Sequence, residues 1–226
     1  MKKIIAIVAA AAAILISSNA SAQLHRGVHY GVVGGLTYSG ANVKEFDASN
    51  LALYHAGLTL KANIGAGFAV QPSLIYQVKG ASIDKYITGE VKIPGTLEAN
   101  VGFIELPVAI SWGPQIKESF RPYAFVEPFI GYGLTNNSSI DVGETNIENL
   151  KNVWEDTYKR LEYGVGAGLG IEVWRLQISV QYFLNFGTLA DEEGKIAASA
   201  IKTTVSNAFK EGSNFKGIKA SVAILF

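Results

Sequence analysis

The sequence predicts an all-β protein: an eight-stranded antiparallel transmembrane β-barrel, an up-and-down meander with short periplasmic turns and long extracellular loops. Three observations predict it. Apolar and polar residues alternate with period 2 in segment after segment. The connections between segments are alternately long and short. Past the amino terminus, no stretch is long and apolar enough to cross a bilayer as a helix, so strands are left to do so.

The chain opens with a positive Met1-Lys2-Lys3, an unbroken apolar run of 13 residues from Ile4 to Ile16, and Ala20-Ser21-Ala22. Residues 1–22 therefore read as a secretory signal peptide cleaved before Gln23, with 23–226 as the barrel domain. A run of 13 is short of the roughly 20 apolar residues a membrane helix needs.

Eight alternating segments follow, at 28–38, 52–64, 67–81, 99–112, 121–135, 160–173, 174–187 and 215–226. In the third, Phe68, Val70, Leu74, Tyr76 and Val78 oppose Ala69, Gln71, Ser73, Gln77 and Lys79, with Ile75 out of pattern. In the sixth, Gly164, Gly166, Gly168 and Gly170 share one face with Glu162 and Glu172. In the seventh, Trp174, Leu176, Ile178, Val180, Tyr182, Leu184 and Phe186 oppose Arg175, Gln177, Ser179, Gln181 and Asn185, with Phe183 out of pattern. The last segment ends the chain on Phe226, and a terminal aromatic on a closing strand is what barrel-insertion machinery favours.

The connections run long (39–51), tight (Gly65-Ala66), long (82–98), short (113–120), long (136–159), near-direct (Val173-Trp174) and long (188–214). Trp112 and Trp174 then fall beside periplasmic turns, and Tyr38, Tyr54, Tyr132, Tyr163 and Phe186 near the long loops, forming two interfacial belts. In the third long loop, Ile147, Leu150, Trp154, Tyr158 and Leu161 recur at helical spacing, which predicts a short amphipathic helix over the barrel mouth. Residues 139–159 carry a net charge of −3. The fourth loop, Asp191 to Gly212, has Ile196, Ala200, Ile201 and Val205 spaced for a second helix.

These residues resemble the PorT-like outer-membrane β-barrel domain family. The stretches that carry the resemblance are Phe68 to Gly80, Phe103-Ile104-Glu105-Leu106-Pro107-Val108-Ala109-Ile110, Arg121-Pro122-Tyr123-Ala124-Phe125-Val126-Glu127-Pro128-Phe129-Ile130-Gly131, Tyr163 to Leu169 and the closing strand. The Ile-Glu-Leu-Pro and Pro-Tyr strands are the most specific of them. The resemblance implies eight strands in the outer membrane of a Gram-negative cell and brings no catalytic residues. Pro107 and Pro128 sit inside strands, where a missing N–H interrupts the ladder, so bulges are expected there.

Placing the glycine-and-polar face inward puts Lys61, Lys79, Glu105, Arg121, Glu127, Glu162, Glu172, Arg175 and Lys219 in the lumen. Eight strands leave an interior just wide enough for side chains to fill, so five cations and four anions are expected to pair as a plug.

The remaining chemistry is sparse. The precursor is neutral and loses Lys2 and Lys3 with the leader, so there is no basic surface for nucleic acid. Cysteine is absent, which excludes disulfides and thiolate sites. Of three histidines, His29 starts the first strand at one end and His55 the second at the other, so no metal site and no cofactor is expected. His55 beside Ser39, Asp47 or Ser49 is the one candidate cluster for a rim enzyme that modifies lipid or peptide. The leading expectation is a barrel with a structural or interaction role. Outer-membrane lipids, the insertion machinery and a protein met at the extracellular loops or periplasmic turns are its expected partners. A small pore or export-machine component, the rim enzyme, and a soluble periplasmic sandwich are the alternatives.

Overall fold

The computed structural model describes residues 27–41, 48–88, 91–116, 119–142, 145–151, 160–186 and 214–226. The leader, Asp47, Trp154, Tyr158 and the fourth long loop lie outside them. The strands are β1 (Gly27–Ala41), β2 (Ala48–Gly65), β3 (Phe68–Thr88), β4 (Val91–Trp112), β5 (Phe120–Val142), β6 (Thr145–Lys151), β7 (Leu161–Val173), β8 (Leu176–Asn185) and β9 (Phe215–Leu225). All pairings are antiparallel, in the order β4-β3-β2-β1-β9-β8-β7-β5, and β4 pairs with β5 to complete the circle. Closure removes the exposed sheet edges that a bilayer cannot solvate. Eight strands form the wall; β6 is a ninth that pairs with the outer part of β5, above the stretch of β5 that pairs with β7.

The alternation sorts inside from outside as expected. Leu58, Leu74, Leu169, Val180 and Val222 face outward and are exposed, while Thr59, Gln77, Gln181 and Lys219 are buried. Ile75 and Phe183, the two residues that break the pattern, are 2% exposed and pack inside the lumen. The glycine row of β7 faces inward too. A Cβ on Gly166 would lie 2.8 Å from Gln181 Nε2, and one on Gly170 would overlap the Tyr123 ring, so the row is the space that neighbouring side chains occupy.

The short turns are tight. Ala66 and Gly67 connect β2 to β3, and Trp174 and Arg175 connect β7 to β8. Trp174 adopts φ 58°, a left-handed conformation unusual for a bulky residue.

Three expectations are corrected. Residues 82–98 are not a loop, because β3 and β4 continue as a paired hairpin to Thr88 and Val91. Ile147 and Leu150 lie in β6 rather than a helix: ladder pairing with Ile140 and Ser138 overrides the local spacing. The prolines are taken up without bulges. Pairing lapses between Thr59↔Ser73 and Ala62↔Val70 beside Pro72, and between Pro72↔Val108 and Ile75↔Glu105 beside Pro107. A third lapse, between Pro107↔Phe129 and Ile110↔Val126, lies beside Pro128. The register on either side of each gap is unchanged. Each proline thus loses its rung toward the preceding strand and keeps the one toward the following strand. One N–H per residue points to one neighbour only, so one absent donor opens one side of the ladder. Bulges occur elsewhere, at Asn63/Gly65 and Gly102/Phe103 among others.

Candidate functional site

The lumen gathers all nine charged residues read from the sequence: Glu127 is partly buried and the other eight are buried. Burying a charge is costly without partners, so the pairings decide how the interior is built. They fall into three layers.

In the outer layer, Lys79 on β3 is fully buried. Its Nζ lies 2.8 Å from Glu105 Oε1, an ion pair rather than an aligned hydrogen bond, and donates to Glu162 Oε1 at 3.0 Å. Three rings surround the same ammonium, with centroids 4.4 Å away for Phe129, 5.1 Å for Phe183 and 5.5 Å for Phe103. Asn185 also donates to Glu162. A cation held by two carboxylates and three π faces has traded its hydration shell for a complete set of protein partners.

In the middle layer, Lys219 Nζ donates to Glu127 Oε1 at 2.6 Å, and Gln181 Nε2 donates to the same oxygen at 2.8 Å. His55 bonds through Nδ1 to Thr37 Oγ1 at 3.2 Å and through Nε2 to Ser221 Oγ at 3.0 Å. A cavity of about 50 Å³ lies beside these groups, lined by His55, Tyr123, Glu127, Gln181, Lys219 and Ser221 among others. It has room for a few waters.

In the periplasmic layer, a single oxygen, Glu172 Oε2, accepts from Lys61, from Arg121 Nη1 at 3.4 Å and from Gln177 Nε2 at 3.1 Å. Arg121 also ties two short turns together, donating through Nη2 to Gly67 O at 2.7 Å and through Nε to Gly113 O at 3.3 Å. Gln71, Thr59 and Ser73 extend the network through hydroxyl and amide bonds.

Outside, Tyr38, Tyr54, Trp112, Tyr132, Tyr163, Trp174 and Phe186 are all exposed on the wall. Pairs of rings recur at each end: Phe68–Trp112 and Tyr30–Phe226 near the short turns, Tyr54–Tyr76 and Tyr163–Phe186 near the long connections. Trp174 and Phe186 are twelve residues apart in sequence. With strands tilted near 40°, that separates the bands by roughly 30 Å, close to the apolar band of about 25 Å in such barrels.

Of the candidate rim cluster, His55 and Ser39 are bonded to other partners, and Asp47 lies outside the described residues. His55 is 2% exposed and lies inside the wall, bonded to Ser221 and Thr37, while Ser39 Oγ donates to Gly80 O and accepts from Gly80 N. Sequence reasoning missed the Phe103, Phe129 and Phe183 cage. Its available signals were the two-residue step from Glu105 to Phe103 and from Glu127 to Phe129, and the out-of-pattern Phe183. Among the described residues, no three His, Asp or Glu side chains are placed to hold a metal ion.

The fold is similar to that of Neisserial surface protein A, with TM-score 0.42 and 11% identity over 89% of this chain and 100% of that one. It is similar to Ail, the attachment invasion locus protein of Yersinia pestis, at TM-score 0.41 and 9% identity over 89% and 99% of the two chains. OprG, an outer membrane protein of Pseudomonas aeruginosa, gives TM-score 0.44 and 12% identity over 90% and 98%. No curated protein matches the sequence. Residues 17–191 match the family described as outer membrane protein beta-barrel domain, and the chain belongs to that family, a β-barrel of the Gram-negative outer membrane.

Proposed function

We propose that this protein is a self-contained, non-enzymatic barrel whose lumen is plugged by its own charged and aromatic side chains, and whose extracellular face meets a protein partner. The plug rests on the layered pairing, above all on Lys79, which spends its charge on Glu105 and Glu162 rather than on a water column. The interaction role rests on the height of one side of the wall. From Tyr76 in the outer aromatic band, β3 continues twelve residues to Thr88, a rise of roughly 30 Å at a tilt near 40°. β4, β5 and β6 accompany it as a four-stranded sheet. Strand edges raised beyond the bilayer offer backbone donors and acceptors to an incoming strand.

The remaining features agree with this reading. The Ile-Glu-Leu-Pro and Pro-Tyr strands support a closer kinship with PorT-like barrels, the leader supports export, and Phe226 supports recognition by the insertion machinery. Cross-linking on intact cells, followed by detergent extraction and mass spectrometry, tests the proposal. A partner captured by wild type and lost when the hairpin 84–96 is replaced by a short turn supports it. Recovery of the same partners by both proteins overturns the assignment to this sheet. Stepwise conductance of the wild-type barrel in planar bilayers overturns the plug in favour of a small pore.

A further inference from the structure

The lumen charges do not balance layer by layer. The outer layer holds one cation against two carboxylates, the middle layer one against one, and the periplasmic layer Lys61, Arg121 and Arg175 against Glu172 alone. Glu172 is already shared by Lys61, Arg121 and Gln177. The surplus cation is Arg175, 8% exposed, with Nε and Nη2 buried and without a hydrogen-bond partner.

Those two nitrogens are not an arbitrary pair. Nε–H and Nη2–H point in parallel from one edge of the guanidinium, the edge that grips two oxygens of one planar anion. A stacking contact with the Trp174 ring, 5.4 Å from Cζ, does not satisfy that edge; a buried N–H pair without an acceptor is costly, and native structures leave few such groups unmet. The rest of the rim points the same way. His29 on β1 faces inward, and its buried Nε2 also has no partner. His29 pairs across the ladder with Lys61, while Leu225 N donates to Arg175 O at 2.9 Å. Arg175, in the turn that leads into β8, the end of β9, His29 on β1 and Lys61 on β2 therefore lie at the same, periplasmic end of four neighbouring positions in the wall.

We infer that the periplasmic mouth is a binding site for a small oxyanion, carboxylate or phosphate, gripped by the Nε/Nη2 edge of Arg175 with His29 as the second donor. A carboxylate and a phosphate both present the two neighbouring oxygens the edge needs. Chloride presents one centre, on which the two parallel N–H groups must converge and bend, so it fits the edge less well.

The test uses the full mature barrel, refolded in detergent micelles and isotope-labelled, with the Leu225 amide and the His29 ring as reporters. Sodium acetate and inorganic phosphate are titrated separately at constant ionic strength, with chloride as the control. Saturable movement of both reporters with acetate, phosphate or both, at concentrations well below those at which chloride acts, supports the site, and the stronger of the two names the source. Arg175→Lys keeps the charge and removes the parallel edge, so it should weaken the apparent affinity about tenfold or more. Arg175→Gln should abolish the saturable response. Heat-modifiable migration confirms that each variant is folded, and His29→Gln, which leaves the guanidinium intact, should retain saturable binding with reduced affinity, read on Leu225. Non-saturating shifts, equal shifts with chloride, or unchanged affinity in Arg175→Lys overturn the inference. So does an edge already filled by the carboxylate of Phe226, which a one-residue carboxy-terminal extension would reveal by creating anion binding that wild type lacks.

Discussion

Replacing Lys79 with Met keeps the side chain's length and bulk and removes its charge, which leaves Glu105 and Glu162 buried around an apolar group. At contacts of 2.8 and 3.0 Å, Coulomb attraction with an effective dielectric near 20 is about 5–6 kcal/mol for each pair before desolvation is counted. Desolvation offsets much of that while the pair is intact. Once the cation is gone, the two carboxylates lose their counter-charge while the Asn185 amide still donates to Glu162, and a net loss of about 3–5 kcal/mol is expected. The triple variant Lys79→Met, Glu105→Gln, Glu162→Gln removes the stranded charges with the cation and should recover most of the loss. Urea unfolding of the barrel in lipid vesicles, followed by tryptophan fluorescence, measures both. Two results refute the reasoning: a loss below about 1 kcal/mol in the single variant, or a triple variant no better than the single one.

Leu169 is exposed midway between the aromatic bands, so Leu169→Arg should cost about 2–4 kcal/mol in the same unfolding assay. Gly170→Val drives a side chain into Tyr123 and should cost about 1–3 kcal/mol, and Tyr123→Ala combined with it should recover part of that. Deleting Phe226 removes the ring stacked 5.9 Å from Tyr30 and the bond from Phe226 N to Tyr30 O, and should lower the fraction of heat-modifiable barrel recovered from membranes.

The wall was legible because the pleat forces period 2, and one face meets lipid while the other meets the lumen. The same rule carried Lys61, Glu105, Glu172 and Lys219 to the inside with no knowledge of their partners. What it could not show was height. β2 starts at Ala48, four residues before the alternation becomes visible, so His55 lies seven residues into the strand and within the lumen rather than at the rim. Residues 82–98 show no sustained period 2 in the sequence, yet the backbone pairs from Ala81↔Ala99 out to Thr88↔Val91. Partnership was equally hidden. The three rings around Lys79 come from β4, β5 and β8, and only closure of the barrel brings those strands to face one another.

If the lumen is plugged as proposed, layers in series also set what opening this barrel requires. An ion crossing it would then have to pass the Lys79 cage, the Glu127–Lys219 rung and the Glu172 cluster in turn, so the highest barrier would govern flux and clearing one layer would leave two. Glu127→Ala, Lys219→Ala and Gln181→Ala together would enlarge the cavity of about 50 Å³ that the three residues line, yet should stay silent in planar bilayers. Adding Lys79→Ala, Phe129→Ala, Glu162→Ala and then Lys61→Ala, Glu172→Ala and Arg121→Ala clears the other two layers. Only that combination should conduct, provided heat-modifiable migration shows the wall intact. Conductance on clearing the middle layer alone would mean that the outer and periplasmic pairings already let ions through, and the pairs would then line a path instead of blocking one.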